Sequence, residues 1–468
     1  MKKLFLLFAV MLATSMGLLA QGSSWQTATL INSGATKTGT FGGNDSEVWY
    51  KIVVPEEGQI EFQGFAEGVN FYAYYCIVYG YKNGDIYDRG HFTGNLLPGP
   101  GSKSDTITFK ASDVGVGNYY IKLSSYNGTG PGTFRLYYKF TPCSLANDPE
   151  PNNDYEHSSL LASGSTVEGR LGYRTSDDVT DTEDWYKIVV PEEGQIELMA
   201  TATGTVRFYP SYSTVNGYKN NGIYSRGSFT GNTINASQTD TMTFKATDVG
   251  PGTYYIRINR YNSTGGGGYK LYYKFTPCPL ANDAEPNEDH EHAGWLPSGL
   301  TKQGRLGYRT SDDVTDTEDW YRFTVAKKGS IDITVTGTEN LLLSRSSSCV
   351  YGLRSDGTTY SMGSFSAPSG GSDTITYNAN DIEKGTYYVK VYRYGGSGGY
   401  RLTYNGPTKT GDVDGTGRLS IDDVTGLIHI LLGGNTQGLS CDDADIDGDG
   451  RVNIDDLTEL INILLKGY

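Results

Sequence analysis

The chain has 468 residues, a net charge of −15 and a hydrophobic content of 37%. That acidic balance argues against nucleic acid and anionic membrane surfaces as partners, because both attract basic proteins. With 62 glycines and 37 tyrosines, the composition describes β-sandwich material rather than helical bundles.

Lys2 and Lys3 precede an apolar run, Leu4 to Leu19, that ends at Ala20-Gln21. A charged start, a short apolar segment and a small residue at the cut read as a secretory signal peptide over 1–20. The mature chain is therefore expected to be exported, to the extracellular space or the cell surface. No later stretch is long enough to cross a bilayer as an apolar helix.

The chain then repeats itself. WYKIVVPEEGQIE occurs at 49–61 and 185–197, with WYRFTVAKKGSID at 320–332. GNYYIKL (117–123), GTYYIRI (252–258) and GTYYVKV (385–391) follow at matching distances, and GRLGYRTSDDVTDTEDWY stands letter for letter at 169–186 and 304–321. A period of about 135 residues exceeds the solenoid range, so each copy is expected to be a whole domain. The boundaries read 21–143, 144–278, 279–407 and 408–468.

Inside a copy the signals are strands. In Tyr119 to Ser124, alternation places 119, 121 and 123 inward and 120, 122 and 124 outward. Such runs are separated by PEEGQ, YKNG and NGTG, which are turn formers. The expected fold class is mainly β, with three tandem antiparallel jelly-roll-like sandwiches followed by a small helical module.

The strings Glu150-Pro151-Asn152-Asn153-Asp154, Gly169-Arg170-Leu171-Gly172, Asp184-Trp185-Tyr186 and Gly252-Thr253-Tyr254-Tyr255-Ile256 resemble the bacterial pre-peptidase C-terminal domain. The third copy carries the same order from Glu285-Pro286-Asn287-Glu288-Asp289 through Asp319-Trp320-Tyr321. The first copy lacks the EPN opening and reads Glu47-Val48-Trp49-Tyr50, a divergent member. The resemblance implies a sandwich appended to secreted hydrolases, often for binding or targeting. It also implies calcium shared between the acidic linker and the loop before the aspartate-aromatic pair. Carried onto this chain, the ligands are Glu150, Asn152, Asn153, Asp181 and Asp184, and then Glu285, Asn287, Glu288, Asp316 and Asp319.

The last segment is the most acidic. Residues 411–468 hold twelve Asp/Glu against three Lys/Arg, a density that calls for a counter-charge. Asp412 to Asp423 forms a twelve-residue loop with oxygens at positions 1, 3, 5, 9 and 12 and glycine at 6. Asp445 to Asp456 repeats the frame. Calcium needs such spacing because a tight loop converges alternate side chains and one backbone carbonyl on a hard cation. The expected ligands are Asp412, Asp414, Thr416, Arg418 (carbonyl), Ser420 and Asp423, then Asp445, Asp447, Asp449, Arg451 (carbonyl), Asn453 and Asp456. A helix follows each loop, with Val424, Leu427, Ile428, Leu431 and Leu432 apolar, then Leu457, Leu460, Ile461, Leu464 and Leu465. No helix precedes either loop.

Two loop–helix repeats of this kind resemble a type I dockerin over 408–468. The resemblance implies a calcium-folded module that binds a cohesin domain on a scaffold or cell-surface protein. The family's partner-reading positions 10 and 11 are Ile421-Asp422 and Ile454-Asp455 here. Ile430 and Ile463 fall off the apolar face and are expected to be exposed for a partner groove.

No HExxH and no GxSxG occurs, and the PEEG carboxylates Glu56, Glu57, Glu192 and Glu193 give way to Lys327-Lys328 in the third copy. The expectation is a non-catalytic accessory protein that presents its sandwiches to polysaccharide or extracellular protein. The alternatives are membership of a polysaccharide-degrading complex with cryptic hydrolase activity, and a structural spacer or adhesin. Tyrosines 72, 74, 75, 79, 81 and 87, answered by 209, 212, 218 and 224, are candidate ligand contacts. Five cysteines fit no complete pairing, and Cys76 and Cys349 read as equivalents.

Overall fold

The computed structural model describes residues 22–42, 46–94, 103–126, 131–204, 206–234, 240–260, 265–310, 313–338, 340–434, 436–441 and 443–466. The signal-peptide reading at 1–20 lies outside them.

Strand residues alternate as branched and aromatic side chains demand. In Glu183–Val190, Tyr186, Ile188 and Val190 enter the core while Lys187 and Val189 face out. This strand pairs antiparallel with Gly252–Asn259 and parallel with Ser159–Leu160. Thr214–Lys219 and Gly222–Ser228 complete a five-stranded sheet. The facing sheet runs in the order Thr166–Leu171, Gly267–Pro277, Gly194–Gly204, Thr241–Val249. Two such layers with alternating inner faces make a sandwich.

The same pair of sheets recurs before and after it, each enclosing a separate apolar core. A fourth, smaller core lies between α1 (Ile421–Leu431) and α2 (Ile454–Lys466). The mainly β architecture with a helical end is as expected.

Two local readings are corrected. Tyr120 is buried although it faces away from the core, because Trp25 and Tyr81 close over it with ring centroids at 5.5 and 6.1 Å. The strand register makes Ile77, not Cys76, the equivalent of Cys349, since Lys122 faces Ile77 as Lys390 faces Cys349. The counterpart of Cys76 in the third copy is Ser348. Cys76 Sγ accepts from Ser124 N, and Ser348 Oγ accepts from Tyr392 N.

Candidate calcium centres and docking face

The repeated phrase is a junction element. The backbone of Arg174 bridges in parallel to Val114 of the preceding sandwich, and Arg309 bridges likewise to Val249. Arg174 N donates to the Asp113 carbonyl at 2.5 Å, and Tyr119 Oη donates to the Arg174 carbonyl at 2.9 Å. Arg170, four residues earlier, donates to Glu57 of the first sandwich at 3.0 Å; Arg305 donates to Glu193 of the second at 2.8 Å. The PEEG carboxylates thus receive the arginine of the next sandwich. Tyr87 and Tyr224 are drawn into the same contacts, donating to the carbonyls of Thr175 and Thr310.

Beside each junction lies an acidic cluster. Ligating oxygens of Asp148, Glu150 and Asp184 fall within 4.8 Å of one another, as do those of Asp283, Glu285 and Asp319. Asn152 and Tyr186 both donate to Asp148 Oδ2 at 2.5 Å, and Asn287 and Tyr321 reproduce this on Asp283 at 2.6 and 2.5 Å. Tyr269 and Tyr400 donate to Asp184 and Asp319. Gly169 permits this, because a side chain there would collide with the Tyr269 ring.

Each carboxylate therefore keeps one oxygen turned inward. Asp148 Oδ1, Asn152 Oδ1 and Asp184 Oδ1 are buried with no hydrogen-bond partner, as are the Oδ1 atoms of Asn282, Asp283, Asn287, Asp316 and Asp319. Burial and then the neighbouring acids Glu150 and Asp148 push Asp181 up to about 8. Burial, Glu285 and Asp283 do the same for Asp316. Asp184 and Asp319 are held well above the carboxylate range, chiefly by burial. An all-oxygen set of converging carboxylates and amides fits a hard cation such as calcium.

Of the residues named from the sequence, Glu150, Asn152, Asp181 and Asp184 are gathered here, with Glu285, Asn287, Asp316 and Asp319 in the third copy. Asn153 and Glu288 are exposed at the edge. Asp148 and Asp283 were missed. The signal was present, since both linkers read Leu-Ala-Asn-Asp before their EPN.

In the C-terminal module, ligating oxygens of Asp412, Asp414 and Asp423 converge within 4.8 Å, as do those of Asp445, Asp447 and Asp456. Asp423 accepts from the Asp414 and Ser420 amides at 3.1 and 2.7 Å, and Asp456 accepts from Ile446 and Asn453, both at 2.7 Å. Asp412 Oδ1 and Asp445 Oδ1 are buried and unpartnered. Burial raises both carboxyls. Gly417 and Gly450 hold φ of 83° and 86°, the left-handed turn that position 6 requires. Thr416 and Arg418 are exposed on the first loop. Ser420 caps α1 by accepting from Asp422 N at 3.1 Å. Asp449 is exposed and accepts from Arg451 N at 2.7 Å, and Asn453 from Asp455 N at 2.7 Å.

Ile463 is 5% exposed and Ile430 is half-buried against the same core, so neither is an exposed groove residue. The helix carries an apolar arc wider than one stripe, and periodicity alone does not choose which part turns inward. Asp423 and Asp456 choose it. They are buried carboxylates at the last position of each loop, lying within about 20° of Ile430 and Ile463 on the ideal helix, so those isoleucines follow them inward. The other edge faces out. Ile421, Ile428 and Leu432 are 70%, 37% and 80% exposed; Ile454, Ile461 and Leu465 are 63%, 39% and 80% exposed. Each trio lies within about 40° of arc, forming one apolar stripe per helix. Asp422 and Asp455 flank them, exposed.

Residues 317–393 match the bacterial pre-peptidase C-terminal domain and residues 410–465 the dockerin type I domain. The chain thus carries a pre-peptidase C-terminal domain followed by a type I dockerin. Collagenase ColA of Clostridium perfringens (strain 13 / Type A) is 28% identical over 260 residues, 52% of this chain. The chain spans about a fifth of that relative, 21% of its length. Among solved structures, the pre-peptidase C-terminal domain of a Bacillus anthracis collagenase is 20% identical. It covers 28% of this chain and 100% of its own, with TM-score 0.18. The PBSX exported protein XepA is 11% identical, covering 57% and 90%, with TM-score 0.17. Type I dockerins are calcium-binding and imply a cohesin partner, and both families occur in extracellular proteins. Among the described residues, no helix is long and apolar enough to cross a membrane.

Proposed function

We propose that this chain is a secreted, non-catalytic accessory protein. Its C-terminal module, residues 408–468, docks on a cohesin-bearing scaffold or surface protein. Its sandwiches, over 21–143, 144–278 and 279–407, are held in a fixed row and offered to an insoluble polysaccharide or fibrous protein. The observation that carries the docking half is the pair of equivalent exposed stripes, Ile421-Ile428-Leu432 and Ile454-Ile461-Leu465. Isolated apolar residues on a surface are ordinary, but two matching stripes on one small module suit a partner.

The sandwiches offer exposed aromatics at one end. Tyr74 stacks on His91 with centroids at 4.7 Å and planes 8° apart, beside exposed Tyr75. Tyr209 and Tyr212 meet edge-on at 5.8 Å in the second sandwich. Flat rings with polar tips suit sugar faces. The third sandwich has Ser344 to Ser348 in this region. Calcium in the acidic clusters would fix the linkers, and weak sites on linked domains would add through effective concentration.

The test is a pull-down of the full chain on insoluble glycans, collagen and mucin, with and without calcium, beside capture on immobilised cohesin. Retention on one ligand that falls when Tyr74, Tyr75, Tyr209 and Tyr212 become Ala is expected. Retention by cohesin alone would leave the structural spacer. Glycan turnover abolished by a single Asp or Glu substitution would overturn the non-catalytic reading.

A further inference from the structure

The C-terminal module rests on the third sandwich through side chains that the other two sandwiches lack. Trp295 donates its indole N–H to the Ile446 carbonyl at 2.7 Å. Arg322 lies over the Trp295 ring at 5.3 Å and donates to the Gly448 carbonyl. Both acceptors belong to the second loop, 445–456. Nearby, Ser298 N donates to Thr410 Oγ1 at 3.0 Å, and Leu300 packs against the module's core.

Strand register identifies what stands at these places in the other copies. Trp295 lies beside Arg322 as Leu160 beside Lys187 and Leu30 beside Lys51. Leu160 and Leu30 are exposed. The repeat departs from itself where the module sits. The two loops differ in the same way. Any side chain at Gly448 would strike the Trp295 ring, whereas Gly415, its counterpart in the first loop, faces open space.

We propose that the third sandwich is a built-in seat for the C-terminal module, and that this seat and calcium in the second loop reinforce each other. Trp295 holds the Ile446 carbonyl while the Ile446 amide donates to Asp456 at 2.7 Å. The residue thus sits between the seat and the last ligand of its loop. Arg322 fixes the Gly448 peptide, next to Asp447. A contact that favours the loop's ligating geometry raises its calcium affinity, and calcium strengthens the contact by the same factor. The first loop's counterpart carbonyl, Val413, accepts instead from Ser440 N within the module at 2.8 Å, so among the described residues its support does not come from the sandwich. Both apolar stripes stay exposed on the seated module, so a docked partner is held at a fixed angle to the row of sandwiches. The coupling rests on the calcium reading of the loops; the seat itself does not.

The test follows hydrogen exchange across the full mature chain as calcium is raised, with 412–431 and 445–466 read separately. Trp295→Leu with Arg322→Lys installs the second sandwich's residues, and protection of Glu318–Val325 checks that the third sandwich stays folded. The calcium midpoint of 445–466 should rise about fivefold, the order of one lost hydrogen bond, with little change at 412–431. Asn tolerates the left-handed backbone, so Gly415→Asn should be silent. Gly448→Asn should act like the double variant, and should be silent once Trp295 is Leu. Unchanged midpoints in the double variant, or equal effects at Gly415 and Gly448, would overturn the proposal. If neither loop responds to calcium in the parent chain, the calcium reading fails instead. The exchange of 445–466 without metal, faster in the double variant or not, then decides the seat.

Discussion

Arg305 of the third sandwich donates to Glu193 of the second at 2.8 Å, with its side chain 8% exposed and that of Glu193 22%. The same guanidinium donates through Nε to the Leu280 carbonyl in the intervening linker at 2.5 Å. One side chain thus ties two sandwiches and the chain that joins them. Where the third sandwich has no sandwich after it, the glutamate pair is replaced by Lys327-Lys328. Lys328 meets Glu383 at the surface instead.

Substitution at this junction should therefore cost stability unequally. Arg305→Ala leaves the Glu193 carboxylate and the Leu280 carbonyl without their donor, and is expected to cost on the order of 2 kcal/mol. Lys328→Ala removes an exposed pair and should cost less than about 1 kcal/mol. Denaturant unfolding of the full chain checks both. Equal costs would mean that the junction arginine is no better coupled than a surface lysine.

The acidic clusters lead to a prediction with opposite signs in two buffers. Asp319→Asn removes one carboxylate from the site where Asp283, Glu285 and Asp319 converge. In calcium at about 100 times its dissociation constant, the parent gains about 2.7 kcal/mol from a filled site, and the variant should lose most of that. In chelator the variant should match or exceed the parent, because burial and the neighbouring acids oblige the folded chain to take up a proton at Asp319, and a neutral amide needs none. Thermal unfolding in both buffers separates the cases. A variant destabilised equally in each would make Asp319 structural only.

The raised carboxyls also set a pH dependence. Asp181 and Asp316 are pushed up to about 8, by burial first and then by Glu150 and Glu285 respectively, whereas an unfolded aspartate titrates near 3.9. Between those values the folded chain holds protons that the unfolded chain has released, so metal-free stability should fall as pH rises from about 5 to 8. Calcium takes the protons' place, and its affinity should rise over the same window. Melting temperatures across that range in chelator are the measurement. A melting temperature that stays flat across the range would show these carboxyls already ionised.

How far this was legible from the residues differs by place. The strands follow from alternation, and Tyr120 escapes it because Trp25 and Tyr81, distant in sequence, fold over the outer face. The converging carboxylates of the C-terminal module follow from spacing, since Asp412, Asp414 and Asp423, like Asp445, Asp447 and Asp456, lie within twelve consecutive residues. The junction sites were half legible. Asp184 and Asn152 stood in quotable motifs, but Asp148 became part of the set only once Tyr186 and Asn152 engaged one of its oxygens and left the other without a donor. Arg170 and Glu57 were beyond reach, for nothing local to either says that it meets the other across 113 residues. Ile463 was misplaced because its inward turn is dictated by the burial of Asp456, not by the apolar pattern.

The two stripes on the C-terminal module lead to the last prediction. Ile428 and Ile461 hold equivalent places, 37% and 39% exposed, at the middle of trios whose ends are more exposed still. Asp at either position puts a charge at the centre of an apolar contact without touching the buried core around Leu427 or Leu460, which are 0% exposed. If one stripe suffices to hold a cohesin, Ile428→Asp and Ile461→Asp should each leave binding within a few fold of the parent, because the intact stripe takes over. The double variant should lose at least about a hundredfold, the order of 2.7 kcal/mol. If a partner needs both stripes at once, each single variant should lose nearly as much as the double. If neither matters, all three should bind alike. Surface plasmon resonance on immobilised cohesin, in calcium, distinguishes the three patterns. The third would move the docking face away from the stripes, leaving the loop-flanking Asp422 and Asp455 as the surface to substitute next.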